Sequence, residues 1–398
     1  GALWTLKSSF YLFGDQKPVD IWDQERPNYQ GHDNIAPHKI TFYSRLPFAL
    51  VGVLGIFLFY FWVSALLGIK TAILSSIILA TSPQYFLLAR QVMVDSPFVI
   101  FYSCSMGFLA IWYFDQRTFK NLSLFYFFSA LALLTKGFLA LFFPLLIGLS
   151  YLIITKEWKI FKELKIHWGL LIILAVAGPW YGYMSAVHGW PYWKEFIIYH
   201  HFDRMAGTID KIGGAFDVYV RQIAYALFPW SGFIPLVGLI LARQSQTWFD
   251  DTHKKKMLYL FLCVAAPYIF LSFSGTKFHH YIFPVIPFIA VLLGYGLMQI
   301  PTIRPSRVII MAFIISLLVF AIFANDIAQD YRHLLRLVIF YYDRDGDPAF
   351  WPYMPLAIVF YSFGIVIAVW ILFPKFREKY LFVLSAIAIA FTCYTGWE

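Results

Sequence analysis

Arg90-Gln91-Val92-Met93-Val94-Asp95-Ser96-Pro97 is a short polar break between two long apolar runs, with a cation and a carboxylate five residues apart. Ser96 and Pro97 read as the N-cap and the first helical residue of the following run, which places Asp95 just outside that helix start. A carboxylate held at a membrane boundary can act as a general base or bind a cationic group. It can equally be an interfacial charge that ends a span. The same alternation of apolar run and polar break repeats along the chain, and this alternation decides the fold.

Of the 398 residues, 60% are hydrophobic and only 13% are charged. A soluble domain does not need so much apolar surface, so the composition predicts an all-α polytopic membrane protein. Aromatics at 21% suit interfacial belts and apolar grooves. Cys104, Cys263 and Cys393 all fall inside apolar runs and imply no disulfide framework. Gly1 is not an initiator methionine, and the last apolar run stops at Glu398, so the sequence reads as a piece cut at both ends.

Residues 1–45 are polar and rich in turn formers, with Leu3 to Phe13 expected as a short amphipathic helix at the interface. Twelve candidate spans follow, at 46–67, 71–88, 97–114, 120–135, 138–155, 168–186, 230–242, 256–273, 278–298, 307–324, 354–373 and 380–396. The one at 230–242 is short for a crossing of about 20 residues and is expected to borrow from its amphipathic flank. The implied organisation is a loop with an interfacial helix (1–45), a transmembrane core (46–324) that includes the loop 187–229, a second loop (325–353) and C-terminal helices (354–398).

Alternate connections differ in charge. One set is short and basic, from Lys70 through Arg117 and Lys120, Lys156 to Lys165, Arg243 to Lys256, Arg304 and Arg307, to Lys375 to Lys379; it holds 16 cations against six acids. The other set carries 15 cations and 16 acids. The positive-inside rule makes the first set cytoplasmic. The net charge of +9 is therefore a topology signal, and no nucleic-acid partner is implied.

On the outer face this leaves residues 1–45, the Arg90–Asp95 break, the Lys136-Gly137 turn, residues 187–229, Gly275 to Tyr281 and residues 325–353. Lys136 sits in the tight turn Leu134-Thr135-Lys136-Gly137, against the charge trend, either snorkelling to the interface or serving a site. Residues 187–229 carry aromatics every three to four positions with charges between, which predicts amphipathic helices lying flat on the membrane. Within them His200-His201 has only Asp203 at metal-ligand spacing, which favours structural or phosphate-contacting histidines over a metal site. A further turn, Ser274-Gly275-Thr276-Lys277-Phe278-His279-His280-Tyr281, packs Lys277, histidine and a tyrosine hydroxyl together. Cations, tyrosine and histidine at the mouth of an apolar bundle suit a polyprenyl-phosphate headgroup, the tail taking the groove between helices.

Three of these turns resemble a known family. Arg90…Met93-Val94-Asp95-Ser96-Pro97, Leu134-Thr135-Lys136-Gly137, and Ser274-Gly275-Thr276-Lys277…Tyr281-Ile282-Phe283-Pro284-Val285-Ile286-Pro287 are similar to the GT-C membrane glycosyltransferases. The likeness is greatest to bacterial family 39 enzymes, related to protein O-mannosyltransferases and aminoarabinose lipid A transferase. Ser44-Arg45-Leu46-Pro47-Phe48-Ala49-Leu50 matches the family's lead-in to its second span, and Pro229-Trp230 the end of its large periplasmic loop. The family's first outer loop carries an acidic motif with its catalytic base, and this chain starts beyond it. Residues 15–43 look like an insertion, in which Asp20, Asp23, Glu25 and Asp33 are the alternative acids.

The resemblance implies a GT-C-type bundle with periplasmic amphipathic helices, in a bacterial inner membrane with its active site on the periplasmic side. It implies transfer of a sugar, with inversion, from a polyprenyl-phosphate donor to a hydroxyl of a lipid, glycan or protein acceptor. Asp95 then corresponds to the family's second acidic position, orienting the acceptor or sugar. Lys136, Lys277, Tyr281, Arg204, Arg90, His200 and His201 are the candidates for the donor phosphate. No metal ligand set is assigned and no cofactor is certain, a divalent metal being an open possibility. If Lys136, Lys277 and Tyr281 hold one phosphate, their tips must converge, with Asp95 facing them across room for a sugar. A membrane transporter is the main rival reading, with a non-catalytic scaffold and a lipid-linked glycan ligase as further alternatives. Against a transporter stand the scarcity of ionisable residues in mid-span and the lack of inverted halves; a ligase would use the same donor.

Overall fold

The computed structural model describes residues 38–203, 217–244, 252–300, 306–329 and 385–387, and the regular structure among them is helical. Segments this apolar must satisfy every backbone N–H and C=O within themselves when no water is at hand, and a helix does so. In order come α1 (His38–Leu67), α2 (Ile69–Ala80), α3 (Pro83–Ala89), α4 (Asp95–Phe114), α5 (Phe119–Lys136) and α6 (Leu139–Thr155). A single turn, α7 (Ile160–Glu163), leads into α8 (Ile166–Trp193), which continues as a π-helix over Lys194–Asp203. Then follow α9 (Asp217–Ala226), a 3-10 turn at Trp230–Phe233 and α10 (Ile234–Gln244). After them come α11 (Thr252–Ser272), a 3-10 stretch at His279–Val285, α12 (Ile286–Gln299) and α13 (Arg307–Gln329).

The first ten expected spans all fall on helices, but their shapes differ from simple rods. Among the described residues six helices are each long and apolar enough to cross a membrane, the first being Phe42–Leu67 within α1. The span expected at 71–88 is broken: α2 and α3 meet at a 66° bend. Pro83 has no N–H to continue the α2 ladder, so α2 ends before it and α3 restarts with Pro83 in its first turn. The short span at 230–242 does have an amphipathic flank in α9, but the two meet at 118° and do not form one straight crossing. In the loop 187–229, helix α8 runs on to Trp193 with a break at Gly189 before the π-helix, and α9 is amphipathic. The expected helix at Leu3 to Phe13, the acids Asp20, Asp23, Glu25 and Asp33, Arg204, the span 354–373 and all but residues 385–387 of the span 380–396 lie outside the described residues.

Packing is built on α4, which lies against α1 and α5, while α2 packs on α1 and α12, α6 on α11, and α8 on α5. Tyr102 of α4 sits at the centre, its ring 5.8 Å from Phe98, 5.8 Å from Phe288 and 6.0 Å from Phe143. A Cβ at Gly107 would overlap the Trp62 indole, so this close approach of α4 to α1 needs glycine. Buried side-chain donors fasten helices to one another: Tyr85 Oη donates to Gly52 O at 2.7 Å, Trp230 Nε1 to Thr81 Oγ1 at 2.8 Å, and Tyr259 Oη to Met106 O at 2.8 Å. Phe57, Phe61, Leu174, Ile314 and Leu318 point outward, as expected where lipid rather than water is the solvent.

The bundle has two ends. Helix α5, with 18 residues, is about 27 Å long at a rise of 1.5 Å per residue. At its start Thr118 caps the helix by accepting from Asn121 N, and at its end Gly137, with φ 77, reverses the chain into α6. The basic connections share the first end: Arg117 pairs with Glu163, Lys255 with Glu157, and Lys256 Nζ donates to Leu66 O at 3.1 Å. Lys136, the Arg90–Asp95 break and the 3-10 stretch at His279 gather at the other.

Candidate active site

Antiparallel packing of α4 against α5 puts the N-terminus of one beside the C-terminus of the other. Asp95 lies in the first turn of α4 and Lys136 in the last turn of α5, so each charge complements the dipole of its own helix. Here the structure corrects the sequence reading. The helix begins at Asp95, with Val94 already in a helical conformation (φ −66, ψ −16) at the cap position, and the Ser96 hydroxyl makes no cap hydrogen bond. Phe98 N–H donates to Val94 O at 3.0 Å, and the Asp95 carboxylate supplies the negative charge that an N-terminus favours.

Lys136 Nζ forms an ion pair with Asp95 Oδ1, and the side chains are 17% and 7% exposed. The same ammonium lies 5.6 Å from the Phe98 ring and 5.4 Å from the Tyr281 ring. Asp95 was expected across a cavity from the lysine; it touches it instead, because two desolvated opposite charges on adjoining helix ends are far better off together than apart. Two aromatic faces then flank the ammonium.

The 3-10 stretch His279–Val285 closes this corner. Tyr281 packs on His280, ring centroids 4.8 Å apart, and on Phe278 at 5.3 Å. The imidazoles of His279 and His280 both lie within electrostatic reach of the Asp95 carboxylate. Gln84 of α3, fully buried, donates from Nε2 to His279 O at 3.1 Å and so ties the broken helix to this turn. α9 packs on both α3 and the 3-10 stretch. Its fully buried Tyr219 hydroxyl makes no hydrogen bond, and neither does Gln84 Oε1.

Of the residues singled out from sequence, the structure thus brings Asp95, Lys136 and Tyr281 together. Lys277 belongs to the same turn as Tyr281, but its ammonium is spent at home, donating to Ser274 O at 2.8 Å. Arg90, at the C-terminus of α3, lies over the Phe86 ring at 5.2 Å. His200 and His201 are on the π-helix, their side chains outside the described residues, as is all of Arg204. No group of three or more His, Cys, Asp or Glu side chains among the described residues is placed to hold a metal ion. Gln84 and Phe98 were not read as site residues. The signal for Gln84 was a lone amide inside an apolar run, directly after the helix-breaking Ser82-Pro83.

The fold and sequence both have relatives. Over 98% of this chain, and 64% of the other, the structure superposes with a TM-score of 0.70 on the crystal structure of ArnT from Cupriavidus metallidurans bound to undecaprenyl phosphate, at 20% sequence identity. The two chains share an all-α polytopic membrane fold. Residues 38–183, which include α1 to α7 and both members of the ion pair, match the family described as dolichyl-phosphate-mannose-protein mannosyltransferase. Two curated relatives carry the name undecaprenyl phosphate-alpha-4-amino-4-deoxy-L-arabinose arabinosyl transferase. That of Pseudomonas paraeruginosa is 32% identical over 170 residues, 42% of this chain and 29% of the relative. That of Pseudomonas aeruginosa is 33% identical over 171 residues, with the same shares. The chain therefore spans less than a third of the length of those relatives in alignment.

Proposed function

We propose that this protein transfers a sugar from a polyprenyl-phosphate-linked donor to a hydroxyl group of a lipid, glycan or protein acceptor, at the periplasmic face of a bacterial inner membrane. The observation that carries the reading is the desolvated Asp95–Lys136 pair, set beside Tyr281 and the two histidines where an apolar bundle ends. An anionic headgroup arriving there meets an ammonium already oriented by a carboxylate and two rings. A phosphate offers more acceptor lone pairs than a carboxylate and competes for the same N–H groups. In this scheme binding of the donor phosphate draws Lys136 away from Asp95 and turns the freed carboxylate toward the sugar or the acceptor.

In the reaction the acceptor oxygen attacks the anomeric carbon from the side opposite the phosphate, and its proton passes to a carboxylate base. The bond from carbon to phosphate oxygen breaks, and the departing polyprenyl phosphate carries the electron pair. Lys136 stabilises the charge that develops on that phosphate, which is the part of catalysis worth most in a water-poor site. Tyr281 adds a neutral O–H donor. Residues 46–324 then form the catalytic core. The sharing of Asp95 and Lys136 within the stretch similar to the mannosyltransferase family supports this reading, as do relatives named for an undecaprenyl phosphate-linked sugar. The direct test is transfer of a radiolabelled sugar from its polyprenyl phosphate by the full-length protein in liposomes. Lys136→Gln is expected to abolish transfer without changing membrane insertion; transfer at the wild-type rate in that variant would overturn the reading.

A further inference from the structure

The opposite end of the bundle carries a second arrangement that the transfer reaction does not use. Between α6 and α8 the chain makes a compact connection containing Lys156, Lys159, Lys162 and Lys165, all exposed. It is not a loose loop. Glu157 is paired with Lys255 of α11 at 2.6 Å, Glu163 with Arg117 at 2.7 Å, and Leu164 O accepts from Tyr126 Oη of α5 at 2.7 Å. Lys156 and Lys165, at the two ends, hold left-handed backbone conformations with φ 60 and φ 45. These ties have an electrostatic consequence. The connection's two acids are each neutralised by a cation from another element. Among the described residues no ion pair engages Lys156, Lys159 or Lys162, so their charge projects outward unopposed.

Aromatic rings flank this charge. Trp158 and Trp168 are 49% and 47% exposed. Trp158 stacks on Phe161, centroids 6.2 Å apart, and Trp168 meets Phe119 edge-on at 6.1 Å, while Lys165 Nζ lies 5.2 Å over that Phe119 ring. Half-exposed indoles set beside fixed ammonium groups match a layer that is apolar on one side and anionic on the other.

We propose that this pinned connection is a binding site for anionic phospholipid headgroups, with Lys159 and Lys162 as the primary phosphate contacts and Trp158 and Trp168 seated among the acyl-chain ends beneath. The occupant follows from charge complementarity: a positive surface of several lysines whose two neighbouring acids are already paired elsewhere, placed beside half-exposed tryptophans. A zwitterionic headgroup brings its own cation and gains much less. The site is independent of the sugar-transfer reading, since the connection packs toward the start of α5, a helix about 27 Å long that has Lys136 in its last turn.

The test is native mass spectrometry of the full-length protein, exchanged into micelles containing equal phosphatidylglycerol and phosphatidylcholine. The wild type is expected to retain phosphatidylglycerol preferentially. Lys159→Gln with Lys162→Gln should weaken that retention by about fivefold for each lysine removed. The control is Lys70→Gln with Arg307→Gln, which removes the same charge from exposed positions elsewhere among the basic connections and should leave retention unchanged. Equal retention of both lipids by the wild type would overturn the proposal. So would an equal loss in the control pair, which would mark a diffuse field rather than a site. Because neither pair of substitutions touches a buried contact, a folded protein is expected in both, and a shared melting temperature checks it.

Discussion

The ammonium of Lys136 is ion-paired with the carboxylate of Asp95, 41 residues earlier in the chain, across the junction of two antiparallel helices. Each residue ends its helix on the charge that the helix dipole favours, and each side chain is largely withdrawn from solvent. The pair is thus locally favourable twice over and still costly to separate.

Breaking it should show the asymmetry of buried charges. Asp95→Leu or Lys136→Met alone leaves an uncompensated ion and is expected to destabilise the protein by about 3–5 kcal/mol. The double variant Asp95→Leu with Lys136→Met should recover most of that loss. Thermal unfolding of the four proteins in one detergent gives the comparison. Additive losses in the double variant would mean that the two charges do not depend on each other.

Headgroup binding should rank three of the seven candidates for the donor phosphate, Lys136, Tyr281 and Lys277. If the proposed donor site is correct, affinity for a polyprenyl phosphate, measured by titration, should fall about 10- to 150-fold in Lys136→Gln, the range for a lost charge-assisted hydrogen bond. Tyr281→Phe removes a neutral donor and should lose about 2- to 10-fold. Lys277→Gln should change affinity least, since that ammonium already serves Ser274 O. A loss in Lys277→Gln as large as in Lys136→Gln would show that the turn rearranges to bring both lysines to the phosphate.

Two glycines to alanine should move stability in opposite directions. Gly107 abuts the buried Trp62 indole, and a methyl group there forces α4 from α1, an overpacking expected to cost about 1–3 kcal/mol. Gly148, inside α6, has open space where a Cβ would stand. Gly148→Ala should gain up to about 1 kcal/mol from helix propensity alone. Melting temperatures that fall together would show that α6 meets a neighbour at Gly148.

Accessibility of introduced cysteines reads the orientation of the bundle. Val92→Cys lies in the exposed break before α4, and Lys159→Cys at the other end. In intact spheroplasts a membrane-impermeant maleimide should label the first and reach the second only after permeabilisation. The native Cys104 and Cys263 are buried and contribute little background. The reverse pattern would place the ion pair in the cytoplasm.

The amino-acid sequence by itself determined that this chain is a bundle of membrane helices, roughly where each begins, and which connections are basic. Run length and charge are local properties, and a bilayer forces apolar runs into helices whatever their neighbours are. It also carried enough of the motif pattern to mark Asp95, Lys136 and Tyr281. What it could not fix were the relationships among them. That Asp95 touches Lys136, that Gln84 reaches His279 O across 195 residues of chain, and that Lys277 folds back onto its own turn all depend on how helices pack. The 66° bend after α2 and the 118° bend after α9 depend likewise on what the broken ends find to bond with. Side-chain partners far apart in the chain are chosen by the interlocking of whole helices, such as Gly107 against Trp62, and that choice exists only in the folded bundle.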